Sequence, residues 1–309
     1  MWATCDYSTY FHSPEWAEIW EAYSGGRITP TSLHITFSDR LTAIVVLSAS
    51  AWPGGLAIRY SSPAGTYGGW ISGDPLTSGH AACLSDFLYR HTGNLVWRVN
   101  PINPLRRTGK LPLAKQEHTH IIDLREGFEP IARQWKKGNG SIARKINKAR
   151  KSGVTARKAS SAEDWAFYYK IYQSSLERWG KTASISYGWP LFETMMKLGS
   201  EYIDLWVAEY QGAIICGALC FSSPRHVSYW HGAALESHFS LRPVNLLIHE
   251  IIEDAASKQK DWFDFNPSGG IKGVEKFKES FGSERIACPV VDTRSFAVKF
   301  LQKARSAIR

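Results

Sequence analysis

Groups able to do acid–base and anion-binding chemistry gather in the last third of the sequence. The run Trp262-Phe-Asp264-Phe-Asn266-Pro-Ser-Gly-Gly is followed by Lys272-Gly-Val-Glu-Lys276-Phe277-Lys278. Strand alternation places Asp264 and Asn266 opposite Phe263 and Phe265. That polar pair either orients a substrate or, in the case of Asp264, holds the backbone of the Pro-Ser-Gly-Gly loop. Alternation also puts Tyr229 and His231 on one strand face and Trp230 on the other. The Tyr–His pair either relays a proton beside a cleft or is a satisfied core pair. Arg242 and Asn245 flank Pro243 at the entry to an apolar helix, where free N–H groups attract anions. Arg242 otherwise makes a surface ion pair.

A second concentration of charge lies upstream. Between Ile131 and Lys151 stand Arg133, Lys136, Lys137, Arg144, Lys145, Lys148, Arg150 and Lys151, with no acidic residue among them. Arg144, Lys145, Lys148 and Lys151 are placed to meet the phosphates of an RNA stem; the bland reading is a solvated helix. Across the chain Lys and Arg exceed Asp and Glu by nine, a balance that suits polyanions. No Walker or dinucleotide glycine pattern occurs, and the histidines read as scattered, so no metal site is expected. Five cysteines without a CxxC pair argue against a disulfide framework and fit a reducing cytoplasm.

The elements that must position these groups follow from periodicity. At 309 residues, 44% of them apolar, the chain has enough length and apolar content for two cores. Ser13-Pro14 starts a helix that Gly25-Gly26 stops. Leu33–Phe37 and Thr42–Ser48 read as a hairpin, and Tyr67 and Trp70 either line a cleft or pack in the core. Ser141 is expected to cap a helix after the Gly138-Asn139-Gly140 break. Strands are expected at 203–209, 213–222, 226–233, 262–266 and 285–291, with helices at 243–257 and 271–281. Phe296–Arg309 reads as a basic amphipathic helix able to touch an anionic membrane. The longest nearly apolar stretch, 41–52, is too short to span a bilayer. The result is an α/β chain with mixed, mostly antiparallel sheets flanked by helices. Its boundary is expected at the basic segment, giving 1–140 and 141–309.

Two stretches carry a resemblance. Ser141-Ile-Ala-Arg-Lys-Ile-Asn-Lys-Ala-Arg-Lys-Ser-Gly-Val154 resembles the basic helix and turn that enters the second domain of Fem-like transferases. The order Tyr229-Trp-His-Gly, Pro243-Val-Asn-Leu-Leu, Trp262-Phe-Asp-Phe and Phe277-Lys-Glu-Ser-Phe-Gly282 resembles the same family's strand, long helix, "F-D-F" strand and "F-K-x-x-F-G" helix. The resemblance implies two tandem GNAT-like domains and amide-bond formation. The donor would be aminoacyl-tRNA, with no tightly bound cofactor, and the acceptor an amine of a cell-envelope precursor, lipid-linked or free, or of a small molecule. It gives Lys278 the role of stabilising an oxyanion or holding an anionic donor, beside Lys276 and Phe277. The cysteines and the lack of a spanning stretch read as a cytoplasmic protein, and the basic tail as able to hold it peripherally at the inner membrane face.

One departure bears on the donor. GNAT enzymes that use acyl-CoA carry a glycine-containing turn whose N–H groups bind pyrophosphate. Here Ser240-Leu-Arg-Pro-Val-Asn245 has no glycine, and Pro243 removes a donor. An N-acyltransferase using acyl-CoA or acyl carrier protein on an amino sugar or amine is therefore the second expectation. A non-catalytic module binding nucleic acid or polysaccharide is the third, motivated by the charge and the 13 tryptophans.

Overall fold

Ser13 Oγ accepts from Trp16 N at 3.1 Å, and Pro14 opens α1 (Pro14–Ser24), which Gly25 closes in the left-handed region at φ 61°. The computed structural model describes residues 1–52, 56–106, 113–137, 140–180 and 186–307. They divide into two compact units, Met1–His118 with Ile286–Arg309, and Thr119–Arg285. The boundary expected at 140/141 falls inside the second unit, because the strand that precedes the basic helices already pairs within that unit's sheet.

The first unit holds β1 (Ile28–Pro30), β2 (Leu33–Thr36), β3 (Thr42–Val46), β4 (Ser48–Trp52), β5 (Leu56–Tyr60), β6 (Tyr67–Ile71), α2 (Ser78–His91), β7 (Leu95–Val99) and β8 (Leu113–Lys115). The return segment adds β16 (Val290–Asp292) and α9 (Phe296–Ala307). The sheet runs β1-β4-β5-β7-β6-β3-β2, with β16 bridging β7 and β8. The hairpin β2–β3 pairs Leu33 with Val45 and Thr36 with Thr42. Trp70, Trp97, Leu84 and Leu88 fill the core beneath it.

The second unit comprises β9 (His118–Asp123), α3 (Glu129–Lys136), α4 (Ser141–Lys151), β10 (Thr155–Lys158), α5 (Ala162–Trp179), α6 (Trp189–Leu198) and β11 (Ile203–Tyr210). It continues through β12 (Ala213–Ser222), β13 (His226–Ala234), α7 (Pro243–Ser257), β14 (Trp262–Asp264), α8 (Lys272–Glu279) and β15 (Glu284–Ala287). The sheet order is β10-β11-β12-β13-β14-β9-β15. β10 to β13 form an antiparallel meander; α7 then crosses over to lay β14 parallel to β13. The crossover is stable because α7 buries Leu246, Leu247, Ile251, Ile252 and Ala255 on Cys216, Ala218 and Cys220 of β12. On the opposite face α5 presses so closely that a Cβ on Gly217 would stand 2.3 Å from the ring of Tyr168.

Two local expectations are corrected. Gly140, at φ 55°, is the N-cap of α4 and Ser141 is its first residue, with no side-chain cap bond; Gly138 and Asn139 of the expected break lie outside the described residues. The single strand expected at 285–291 is two short strands in different sheets, β15 and β16. Pro289, which offers no N–H to a ladder, stands between them.

Candidate active site

The parallel pairing of β13 with β14 ends at Ser228 opposite Asp264. β13 continues to Ala234, whereas the chain after Asp264 bends away, with Asn266 in the left-handed region at φ 58°. Polar groups span the opening. Asp264 is fully buried, and its Oδ1 accepts from the Thr119 hydroxyl and from Asn266 N at 2.7 Å. Asn266 Nδ2 donates to Tyr229 O at 3.0 Å, across the gap between the diverging strands. Lys278 Nζ donates to Asn266 O at 2.5 Å. Asp264 therefore holds the backbone that Asn266 and Lys278 share; being fully buried, it does not offer its carboxylate to a cleft. An Asx-type bond of this kind is how a non-glycine residue is held at positive φ.

Lys278 is 5% exposed, although Lys272 and Lys276 of the same helix are exposed. Its burial follows from how α8 is anchored. Phe277 packs on Phe281 at 5.3 Å, and Phe281 packs on Phe265 at 5.6 Å and Trp135 at 5.8 Å. Trp135 Nε1 donates to Phe281 O at 2.7 Å. Gly282 turns the chain at φ 80°, with Gln134 2.7 Å from where a Cβ would stand. An ammonium this deep needs polar partners to stay charged, and the Asn266 carbonyl supplies one.

Four buried polar residues at this place were not singled out from the sequence: Thr119, His120, His226 and Ser228. His226 Nε2 lies 3.4 Å from Asp264 Oδ2, both side chains fully buried. His120 is held below its usual pKa by burial first and by Lys278 second, with Glu279 3.6 Å from its Nε2 pulling the other way. The sequence does carry one signal for them, the H-x-H spacing of His118-Thr119-His120, which corrects the expectation that the histidines are scattered.

The shared face expected for Tyr229 and His231 is a correction. The register of β12 with β13 shifts between Leu219 and Cys220, so that Leu219 faces His231 and Cys220 faces Tyr229. The extra residue of this bulge reverses the alternation. Tyr229 packs with Phe265 at 6.2 Å on the side of the α7 core. His231 turns into rings from α5 and α6, with Tyr172 at 4.3 Å and Phe192 at 6.0 Å. His231 Nδ1 lies 2.5 Å from Tyr168 Oη, whose hydroxyl also donates to His231 O at 3.2 Å. Burial pushes the imidazole down to about 3 and the Tyr229 phenol up.

The remaining expected residues separate. Arg242, exposed and at φ 63°, caps α7 through its backbone alone. Asn245 is buried one turn in, its Nδ2 without a hydrogen-bond partner. Arg144, Lys148 and Lys151 are exposed, Lys145 half-buried, and the first three line a hollow of about 410 Å³ with Asn147 and Ser152. Tyr67 and Trp70 are buried in the first unit, where Trp70 meets Trp97 at 5.7 Å and Tyr67 meets Phe11 at 6.0 Å, so they are core residues and not a cleft lining. His249, Glu250 and Glu253 bring ligand-type atoms within 4.8 Å of one another. Arg150 occupies that place, 2.9 Å from Glu250 Oε1 and 3.4 Å from His249 Nδ1.

Comparison with known proteins bears on this geometry. Residues 136–279 match the family described as acetyltransferase (GNAT) domain. The crystal structure of FemX superposes with a TM-score of 0.72 at 11% identity, covering 96% of this chain and 94% of that one. L-PGS from Bacillus licheniformis gives 0.57 at 12% identity, covering 96% and 97%. The C-terminal domain of a putative lysylphosphatidylglycerol synthetase from Agrobacterium fabrum gives 0.55 at 10%, covering 90% and 89%. Comparison with curated protein sequences finds no match. Two mixed sheets flanked by helices, the α7 crossover and these superpositions show the GNAT fold, in the tandem form seen in FemX.

Proposed function

We propose that the protein is a transferase that forms an amide bond, moving an aminoacyl group to an amine, with Lys278 as the group that meets the developing negative charge. The observation that carries this reading is the buried Lys278 ammonium, fixed on Asn266 O where β13 and β14 part. A neutral amine attacks an ester carbonyl, the C–N bond forms, and the carbon–oxygen bond to the donor hydroxyl breaks. The amine proton leaves with that hydroxyl. The barrier is dominated by charge on the carbonyl oxygen, which a pre-positioned cation stabilises without reorganising. Placement of the two substrates supplies much of the rest. His231 is neutral near pH 7 but enclosed by aromatic rings, so proton removal falls to water or to the acceptor itself.

Aminoacyl-tRNA is the donor we favour. FemX and the synthetase domain from Agrobacterium fabrum share the fold, and the second is named for lysylphosphatidylglycerol, an aminoacylated lipid. The exposed face of Arg144, Lys148 and Lys151 offers charge to an RNA backbone. The entry to α7, with Pro243 in its first turn, offers fewer N–H groups to a pyrophosphate. The match to the acetyltransferase family supports acyl-CoA as the second reading. The test is titration of the protein with charged tRNA, deacylated tRNA and acetyl-coenzyme A at several salt concentrations, followed by single-turnover transfer to an amine. Salt-sensitive binding of charged tRNA, and a loss of about a hundredfold or more in transfer for Lys278→Ala at unchanged donor affinity, are expected. Saturable coenzyme A binding without tRNA binding overturns the donor; full activity of Lys278→Ala overturns the site.

A further inference from the structure

His226 is a fully buried histidine that no step of the transfer uses. It opens β13, and the parallel register sets His226 opposite Trp262 and Ser228 opposite Asp264. Residues two apart on a strand share a face, so His226, Ser228 and Asp264 lie on one side of the sheet. Both ring nitrogens of His226 point at polar groups there. Nδ1 stands 3.5 Å from Ser228 Oγ, and Nε2 3.4 Å from Asp264 Oδ2. Neither Nε2 nor Oδ2 has a hydrogen-bond partner elsewhere among the described residues. A carboxylate oxygen can only accept, and a carboxylate buried with no donor facing it is strongly disfavoured. His226 is the group placed to meet it.

That contact bears on the support of Lys278. The other oxygen, Oδ1, accepts from the Thr119 hydroxyl and from Asn266 N at 2.7 Å. Asn266 stands at φ 58°, and its carbonyl receives Lys278 Nζ at 2.5 Å. A carboxylate is planar, so the group that fixes Oδ2 also fixes the direction of Oδ1. We propose that His226 is a positioning residue for Lys278: it sets the plane of the Asp264 carboxylate, which holds Asn266 and, through the Asn266 carbonyl, the ammonium. An apolar ring in place of the imidazole leaves Oδ2 facing no donor. The carboxylate then turns, Asn266 relaxes from its positive φ, and Lys278 shifts with its acceptor. A displacement of about 1 Å at such a group costs about a hundredfold in rate. The proposal rests on Lys278 meeting the developing charge, and its first readout is independent of that reading.

That readout is the proton–nitrogen correlation spectrum of the lysine ammonium groups in the whole protein, with the Lys278 signal identified by its loss in Lys278→Ala. His226→Phe keeps a ring and removes the donor; His226→Gln keeps a donor. The Lys278 signal should move in His226→Phe and return toward its parent position in His226→Gln. An unmoved signal in His226→Phe overturns the proposal. The second readout is single-turnover transfer, with donor affinity measured for each variant. His226→Phe should lose about tenfold or more in rate at unchanged donor affinity, with little further loss where Lys278→Ala is already present, because the two act as a unit. Equal losses with and without Lys278 assign His226 to general stability and overturn its positioning role. Full activity of Lys278→Ala overturns the site itself, and the ammonium spectrum then still decides whether His226 places that side chain. Melting curves certify each fold; where His226→Phe does not fold, Ser228→Ala, which releases the imidazole at Nδ1, is read in its place with the same outcomes.

Discussion

Acidification tests the aromatic enclosure of His231. Its imidazole titrates at 6.5 in an exposed setting and is pushed down to about 3 by burial. Between those values the unfolded chain holds a proton that the folded chain does not. Stability therefore falls as pH drops below 6.5 and is untouched by this group above it. The slope is about 1.4 kcal/mol per pH unit, so the loss at about pH 5 is (6.5 − 5) × 1.4, or about 2 kcal/mol. His120 is shifted the same way and acts in the same window. Asp164, lowered to about 2 mainly by Arg157, loses its contribution only at more acid pH. Comparing the protein with His231→Gln isolates the one group, because the variant's lost bond to Tyr168 is a constant offset and not a slope. Urea unfolding followed by tryptophan fluorescence at about pH 7 and about pH 5 should show the variant losing about 2 kcal/mol less on acidification than the parent. Equal losses in the two proteins would falsify the enclosure argument.

Two further perturbations probe the same unit. Asp264→Ala orphans the Thr119 hydroxyl and the Asn266 amide; at about 1–3 kcal/mol each, the variant should lose about 2–6 kcal/mol in a melt, and Asp264→Asn clearly less, whereas matching losses would mean that the acceptor at Oδ1 is unimportant. Gly217→Ala drives a methyl to within 2.3 Å of the Tyr168 ring, an overpacking that should cost about 1–3 kcal/mol and shift the His231 ring resonances in NMR; an unaltered melt and spectrum would show that α5 yields without cost.

The sequence determined the elements whose signals are local. Ser13 and Pro14 began α1 where a cap and a ring-fixed φ belong, Gly25 ended it, and the helix expected at 243–257 is α7. The order of the Phe-Asp-Phe strand and the Phe277 to Gly282 run pointed to the fold that the superpositions show. Such features depend on a few neighbouring residues and a fixed period, so a single chain displays them.

Tertiary structure alone decided the rest. Strand alternation predicted one face for Tyr229 and His231, but the partner strand imposed a bulge, and one inserted residue sends the two rings to opposite sides of the sheet. Lys278 reads like Lys276 in sequence; only the packing of Phe277 and Phe281 on Trp135 and Phe265 turns it inward, onto the Asn266 carbonyl. Thr119 reaches Asp264 from a strand 145 residues away, and Val290 to Asp292 left the sheet of its neighbours for the other one. Burial and pairing between distant segments are set by which apolar faces meet, and that information is spread over the whole chain and not written beside any one residue.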